Sequence, residues 1–508
     1  MKLPSVKEMV IKLLLKWLTV PLTFLVVALT GAAINLPEQF IKTKEKHDLV
    51  VNFGLEAVYL GLYSGVIAGI MVDKISNLVS FLVAAVLALI AYIPLAFVTD
   101  LDGTPINLAI LFLFFIAGLS GSIGVITSVV SLAKNFDAGK ASLLLVTIAI
   151  TYWKLASGMD NSLHTGFMKE ASNEVYFIVV GVIIFVTLLI AAFAMTKVEL
   201  GTTLDTLSKE ADSTGIFIYV IVTSILLVTF FVFADVLDMG IVASSVFLFF
   251  LFVNFLILGL AIFLIYKMIK SGKGMSAAGA LGAVGAKKPD EFTTGQMCGK
   301  KKYIHMCVVA FCILGSSLTF EDLIIEQGIA GGEAAAGLAG ALKANWFADV
   351  MSRFIGGVIA YFILEKVSIW VSIVVFTIIA FIGHVAGLVV FATDAGKTGA
   401  IFAPAILVGL GSGAIWSLIP MELIHTAQYK AFGQNWGTVL LFGMIGFLLF
   451  ALTIYFAGEN GIIASCIFVV FSIVALVSAI LGWMDDKANT KPPVGRQTPP
   501  KPASTGGK

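Results

Sequence analysis

The residues best suited to chemistry in this sequence are an arginine and an aspartate that share an apolar stretch. The chain holds only two arginines, and Arg496 lies near the C-terminus. Arg353 lies within an apolar run, four residues after Asp349, so both side chains share one face of a helix. A guanidinium grips a carboxylate through two parallel hydrogen bonds, which an ammonium cannot do. The pair predicts either a self-neutralising ion pair or a site that admits an anion when Asp349 takes up a proton.

Four further residues in apolar runs are candidates for the same site, because charged groups inside a membrane usually have a function. Lys154 is expected either to contact the anion from another helix or to extend its long side chain to an interface. Glu56 is expected either to carry a proton or pair with Lys154, or to play a structural role at the interface. Asn345 and Trp346 are expected to line the cavity beside Asp349.

The composition decides which elements must hold these residues. Hydrophobic residues make up 59% of the 508 residues and charged residues 12%, against about 25% charged in an ordinary globular domain. The mean hydropathy is +1.03. A soluble protein this apolar could not cover its surface with polar groups, so lipid must be the solvent for most of it.

Several function classes are excluded on the same grounds. A net charge of +1 produces no field that would attract nucleic acid. The four cysteines lack paired spacing, and neither a nucleophile elbow, a metal-binding His/Cys pattern nor a phosphate loop is present. We therefore expect no enzyme, no metal and no cofactor.

Long apolar runs predict an all-α polytopic membrane protein. A bilayer core of about 30 Å needs about 20 apolar residues per helix. About fourteen runs meet this need. They lie at 17–35, 50–72, 78–98, 107–132, 141–158, 175–196, 216–234, 244–266, 303–320, 344–364, 367–392, 400–421, 433–457 and 461–483.

An internal duplication divides these runs. GVIAGIMVDK, which ends in Asp73-Lys74, matches GVIAYFILEK, which ends in Glu365-Lys366, at an offset of 365 − 73 = 292 residues. The match predicts two six-helix halves that enclose a midplane site, with a two-helix insertion between them. The expected segments are a basic N-terminal segment 1–16, halves 17–200 and 303–484, an inserted helix pair with a flexible basic loop 201–302, and a disordered tail 485–508.

Lysine placement predicts the orientation. The basic residues concentrate in segments that share a side with the N-terminus, so both termini are expected on the cytosolic side, or the matrix side of an organelle. The plasma membrane and an organelle both remain open, and the basic, amphipathic N-terminus keeps a mitochondrial inner-membrane location among the options.

Three motifs resemble a known family. Gly69-x-x-x-Asp73-Lys74 resembles the loop signature of the major facilitator superfamily, and GLGSGAIWSLIPMELI (409–424) resembles its nodulin-like branch. WFADVMSRFIGG (346–357) resembles the Asp-xxx-Arg helix of the monocarboxylate transporters. The resemblance implies that Arg353 binds a carboxylate and that Asp349 carries the proton. It also implies inner-face gate contacts at Gly69, Asp73, Lys74, Glu365 and Lys366.

These observations predict a secondary active transporter that moves a small organic anion, such as a monocarboxylate, together with a proton by alternating access. Two alternatives stay open. An amino acid or other polar solute would also suit the acid and base of the Asp349–Arg353 pair. The fold could instead serve as a structural subunit of a large membrane assembly, held by the tail and the inserted helices.

Overall fold

The structure is a computed structural model of the chain, and it is almost wholly helical. The residues described are 6–41, 48–98, 101, 103–136, 141–168, 171–195, 219–230, short stretches between 233 and 256, 293–330, 335–364, 367–393, 399–427, 431–457 and 461–489. Within these residues, twelve helices are long and apolar enough to cross a membrane. The expected all-α polytopic class is therefore confirmed.

We number the twelve spans α1 to α12 in chain order. The first six are α1 (Val6–Gly31), α2 (Asp48–Leu62 and Gly65–Ile70, then a π-helical turn at Met71–Ile75), α3 (Asn77–Val98), α4 (Thr104–Asn135), α5 (Ala141–Gly166) and α6 (Asn173–Ala194). The others are α7 (Lys301–Val309 and Gly315–Ala330, joined by a π-helical turn at Ala310–Leu314), α8 (Ala335–Ile363), α9 (Ile369–Ala392), α10 (Phe402–Ala427), α11 (Phe432–Ala457) and α12 (Gly461–Asn489).

The count of fourteen spans is not confirmed. The first inserted run forms an apolar helix, Tyr219–Phe230, that is shorter than a full span, and most of the second lies outside the described residues. Several helices are longer than the sequence predicts. For example, α5 continues to Gly166 rather than ending at 158, α7 to Ala330 rather than 320, and α12 to Asn489 rather than 483.

Two seams between packed helices join the six helices before the insertion to the six after it. Along one seam α2 packs against α11, and along the other α5 packs against α8 and α10. By the duplication α2 corresponds to α8 and α5 to α11, so the two seams are equivalent pairings. The start of α1 and the end of α12 lie at the end of the bundle where α2 finishes, which we call the terminal end.

Glycines set the closest helix approaches, as small residues do in membrane proteins. A Cβ on Gly61 of α2 would overlap the Phe115 carbonyl of α4, and one on Gly69 would overlap the Gly433 carbonyl of α11. A Cβ on Gly437 would overlap the Gly65 carbonyl. The four-residue glycine spacing of α2 is thus used on two neighbours, α4 and α11.

The inserted helix Tyr219–Phe230 lies along α1 and α5. The buried Tyr219 ring stacks on Trp17 at a centroid distance of 6.2 Å and meets Phe24 edge-on at 6.0 Å. At the other end, Phe230 lies beside Gly158 of α5. The insertion therefore packs on the N-terminal six helices.

Replacement of Gly61 by Ala should destabilise the protein, because α2 and α4 must separate to admit the new methyl group. Overpacking a well-packed contact costs about 1–3 kcal/mol. The measurement is thermal unfolding of the detergent-solubilised protein. Gly295→Ala is the matched control, because a Cβ there would meet nothing within 4 Å. Equal midpoints for the two variants would show that the α2–α4 contact is looser than described.

Candidate functional site

A buried ion pair on α8 is the centre of the candidate site. Arg353 donates from Nε to Asp349 Oδ1 at 2.7 Å and from Nη2 to Asp349 Oδ2 at 3.1 Å. The spacing of four residues places both side chains on one helical face, and both residues are buried. The contact is therefore two-pronged, as the residue types predict.

Lys154 of α5 completes the cluster from the other side of the seam. Its Nζ lies 3.3 Å from Asp349 Oδ2 and 3.5 Å from Oε1 of Glu321 on α7. The ammonium thus points into the bundle rather than to a membrane interface. We call Lys154, Glu321, Asp349 and Arg353 the charge cluster. It joins helices from both sides of the α5–α8 seam.

Glu321 is the member that sequence reasoning missed. The apolar run 303–320 ends directly before Glu321, so the sequence alone predicts a solvated loop acid beyond the ninth span. In the structure α7 continues past it to Ala330, and its carboxylate faces Lys154. The helix can continue because the charge has a partner inside the bundle. An acid at the end of an apolar run could have been paired with the unassigned cation of another run.

The charge cluster borders a cavity between the two sets of helices. The residues that line it are Ile34, Tyr59, Tyr63, Trp153, Lys154, Leu318, Arg353 and Trp416. Two are cations, four are aromatic and two are aliphatic. Within the part of the chain that the structure describes, no Asn, Gln, Ser or Thr side chain lines this cavity.

Tyr59, Tyr63, Trp153 and Trp416 form what we call the aromatic wall. Trp416 lies 5.5 Å from Tyr63 and 5.6 Å from Trp153, measured between ring centroids, and Tyr59 lies 5.8 Å from Tyr63. The Arg353 guanidinium carbon lies 5.0 Å from the Trp416 ring centroid, a cation–π contact. Three helices, α2, α5 and α10, supply the wall.

The other predicted site residues lie apart from the cavity lining. Asn345 uses its Nδ2 to donate to the Ala405 carbonyl at 2.8 Å, which ties α8 to α10. Glu56 is partly exposed on α2 and forms no ion pair among the described residues. Lys154 pairs with Asp349 and Glu321 rather than with Glu56.

Trp346 closes the α5–α8 seam on the side away from the terminal end. Its Nε1 donates to Ser157 Oγ at 3.1 Å, and its ring fills the space that a Cβ on Gly158 would take. Asn35, which follows α1, donates to the Ser157 carbonyl at 2.5 Å and to Asp160 Oδ2 at 3.1 Å. A polar chain thus runs from α8 through α5 to the end of α1.

Asp73 joins α2 to α11 at the terminal end. Its Oδ1 lies 3.0 Å from Lys134 Nζ, and its Oδ2 accepts from the Gln434 backbone N–H at 2.8 Å. Gln434 belongs to the first turn of α11, where a carboxylate satisfies free N–H groups and the helix dipole. Lys74 is exposed, whereas Glu365 and Lys366 lie outside the described residues.

Comparison with known proteins agrees with the fold and the motifs. The Nodulin-like family matches residues 16–266. A solved structure of the proton:xylose symporter XylE, a major facilitator superfamily protein, superposes with a TM-score of 0.51 at 11% identity, covering 94% of this chain and 95% of that chain. The Escherichia coli fucose:proton symporter FucP gives a TM-score of 0.45 at 16% identity, covering 92% and 97%. No curated protein matches the sequence.

The XylE likeness shows the fold alone, because the two sequences are only 11% identical. The Nodulin-like match covers residues 16–266, just under half of the chain, and agrees with the motif at 409–424. The twelve long apolar helices make the chain an integral, multi-pass membrane protein. In the described part of the chain, no group of three or more His, Cys, Asp or Glu could hold a metal ion.

Removal of the Asp73 carboxylate should loosen the terminal end of the α2–α11 seam. In Asp73→Ala, amide hydrogen exchange at the end of α2 and in the first turn of α11 should be about fivefold faster, because a lost cap costs about 1–2 kcal/mol. Hydrogen–deuterium exchange with mass spectrometry measures this locally. Lys74→Ala, at the exposed neighbouring position, is the control. Unchanged exchange in Asp73→Ala would mean that the glycine contacts alone hold the seam.

Proposed function

We propose that this protein is a secondary transporter that moves a small organic anion together with a proton. The observation that carries the proposal is the two-pronged Arg353–Asp349 pair beside the cavity, with Lys154 from the other side of the seam on the same carboxylate. The charge cluster holds two cations and two carboxylates, so protonation of Asp349 leaves one net positive charge. A solute carboxylate would balance it.

Protonation of Asp349 would open the site. A neutral carboxylic acid no longer holds Arg353 by two charge-assisted bonds, so the guanidinium becomes free to bind the solute carboxylate through Nε and Nη2. Glu321, 3.5 Å from Lys154, would hold that ammonium in the meantime. The proton stays on Asp349 while the anion stays on Arg353, so the two cross together.

Release would reverse these steps on the other side of the membrane. When the proton leaves Asp349, its carboxylate re-forms the pair with Arg353 and displaces the anion. The seams provide the alternation: Asp73 joins α2 to α11 at the terminal end, and Trp346 joins α8 to α5 at the other. Opening one while the other stays closed exposes the cavity to one side at a time.

The cavity lining supports an anion over a sugar. A sugar presents many hydroxyl groups, each of which needs a hydrogen-bond partner when it leaves water. Among the described residues, the neutral polar side-chain groups on this lining are two tyrosine hydroxyls and two indole N–H groups. XylE carries xylose, but at 11% identity its likeness to this chain concerns the fold alone.

A zwitterion is the second candidate. The observation that favours it is the full charge cluster, whose two cations and two carboxylates balance when Glu321 is counted. An amino acid could place its carboxylate on Arg353 and its ammonium on Glu321. The assay below includes such a solute.

The position in the cell and the assembly partners also remain proposals. The lysine distribution supports both termini on the cytosolic or matrix side. A role as a structural subunit would draw on the tail, which lies outside the described residues beyond Asn489.

Uptake by proteoliposomes tests the transport mechanism. Labelled pyruvate and glycine are offered under an inward proton gradient, and protein-free liposomes correct for passive permeation. Wild-type protein should accumulate pyruvate. Arg353→Lys should lower kcat/KM about 10-fold or more, since one hydrogen bond to a charged group contributes about 1.5–3 kcal/mol.

Asp349→Asn separates binding from coupling. The amide resembles the protonated acid, so the variant should still exchange labelled for unlabelled pyruvate but should not accumulate it under a proton gradient. Glu174→Gln, the same change at an exposed site, is the control. Gradient-driven accumulation by Asp349→Asn would disprove the proton role of Asp349. Uptake of glycine alone would favour the zwitterion, and uptake of neither by folded protein would contradict the anion proposal.

A further inference from the structure

Trp153 lines the cavity and has a buried hydrogen-bond donor without a partner among the described residues. The residue lies on α5 directly before Lys154 and lines the cavity, and it is 4% exposed. Its indole Nε1 is buried and has no hydrogen-bond partner among the described residues. Buried donors are almost always satisfied, by protein, water or a ligand. A solute in the cavity is a natural source for the missing acceptor.

Aromatic side chains of α11 pack against two residues of the aromatic wall. Trp436 of α11 meets Trp153 edge-on at a centroid distance of 6.4 Å, and Phe447 of the same helix meets Tyr59 edge-on at 5.2 Å. The four residues of the aromatic wall are each 4% exposed or less. Side chains fixed by packing lose little conformational freedom when a solute binds, so the wall is preorganised.

The wall and the cations together define a solute with two unlike ends. One end must be an anion that accepts from Arg353 and Lys154. The other end meets ring faces and two aliphatic side chains, and it finds few partners for hydroxyl groups. Aromatic rings prefer offset-stacked or edge-to-face contact with other flat π-systems, which an aliphatic ring cannot provide.

We propose that the solute is a carboxylate with a planar, unsaturated body. Its body lies on the aromatic wall, and its carboxylate binds Arg353 and accepts a hydrogen bond from Trp153 Nε1. This assignment rests on the proposed anion transport, and it makes Trp153 a specificity-determining residue of the same site.

Titration calorimetry of the purified full-length protein tests the proposal with three probes: benzoate, cyclohexanecarboxylate and pyruvate. Benzoate and cyclohexanecarboxylate have the same charge and nearly the same size, but only benzoate is flat. Benzoate should bind about 10-fold more tightly than cyclohexanecarboxylate. Trp153→Phe keeps a ring but removes the donor, so it should weaken benzoate binding about 3- to 10-fold.

Trp370→Phe is the matched control. Trp370 is also buried with an unpartnered indole Nε1, but it packs against Gly482 and does not line the cavity. Its replacement should leave benzoate affinity unchanged. Thermal unfolding of both variants checks that each is folded.

The outcomes separate this inference from the function on which it rests. Equal affinity for benzoate and cyclohexanecarboxylate, with both lost in Arg353→Ala, would overturn the planar solute and leave anion transport standing. Undiminished benzoate binding in Trp153→Phe would overturn the role of Trp153. Absence of binding for all three carboxylates would overturn both the inference and the proposed function.

Discussion

The structure depends on keeping charge inside a bilayer without leaving it unpaired. An ionised side chain at the centre of a membrane helix costs about 2.5 kcal/mol or more, and far more when it faces hydrocarbon. Asp349 and Arg353 limit this cost by pairing on one turn of α8. Glycine makes the arrangement compact: a Cβ on Gly413 of α10 would overlap Asp349, and one on Gly357 would overlap the Thr147 side chain of α5. These close approaches bring α10 and α5 against the charged helix.

The duplication explains the framework but not the site. At the offset of 292 residues, Asp349 corresponds to Ala57 (349 − 292) and Arg353 to Gly61 (353 − 292) on α2. The first copy therefore uses these positions for packing, and its Gly61 lies against α4. Only the second copy places charges there. A symmetric pair of seams thus encloses an asymmetric site, as the proposed binding of an anion and a proton requires.

The sequence predicts those site residues whose type is rare in an apolar run. An arginine in an apolar run identifies Arg353, and helical spacing then adds Asp349. Hydropathy alone places Glu321 in a loop, because an apolar run ends at the first charges. In the structure the helix continues past Glu321, whose carboxylate pairs with Lys154. The aromatic wall could not be predicted, since its rings come from three helices far apart in sequence. Periodicity does not show which face of an all-round apolar helix looks inward.

The inserted helix packs on the N-terminal half. The Nodulin-like match spans that half and continues to residue 266, through the inserted segment. In space, Tyr219–Phe230 packs along α1 and α5, and Phe230 reaches Gly158, the same glycine that receives the Trp346 ring of α8. The inserted helix lies behind the α5–α8 seam and does not enter it. In the proposed alternating access, the inserted helix would move with the half on which it lies.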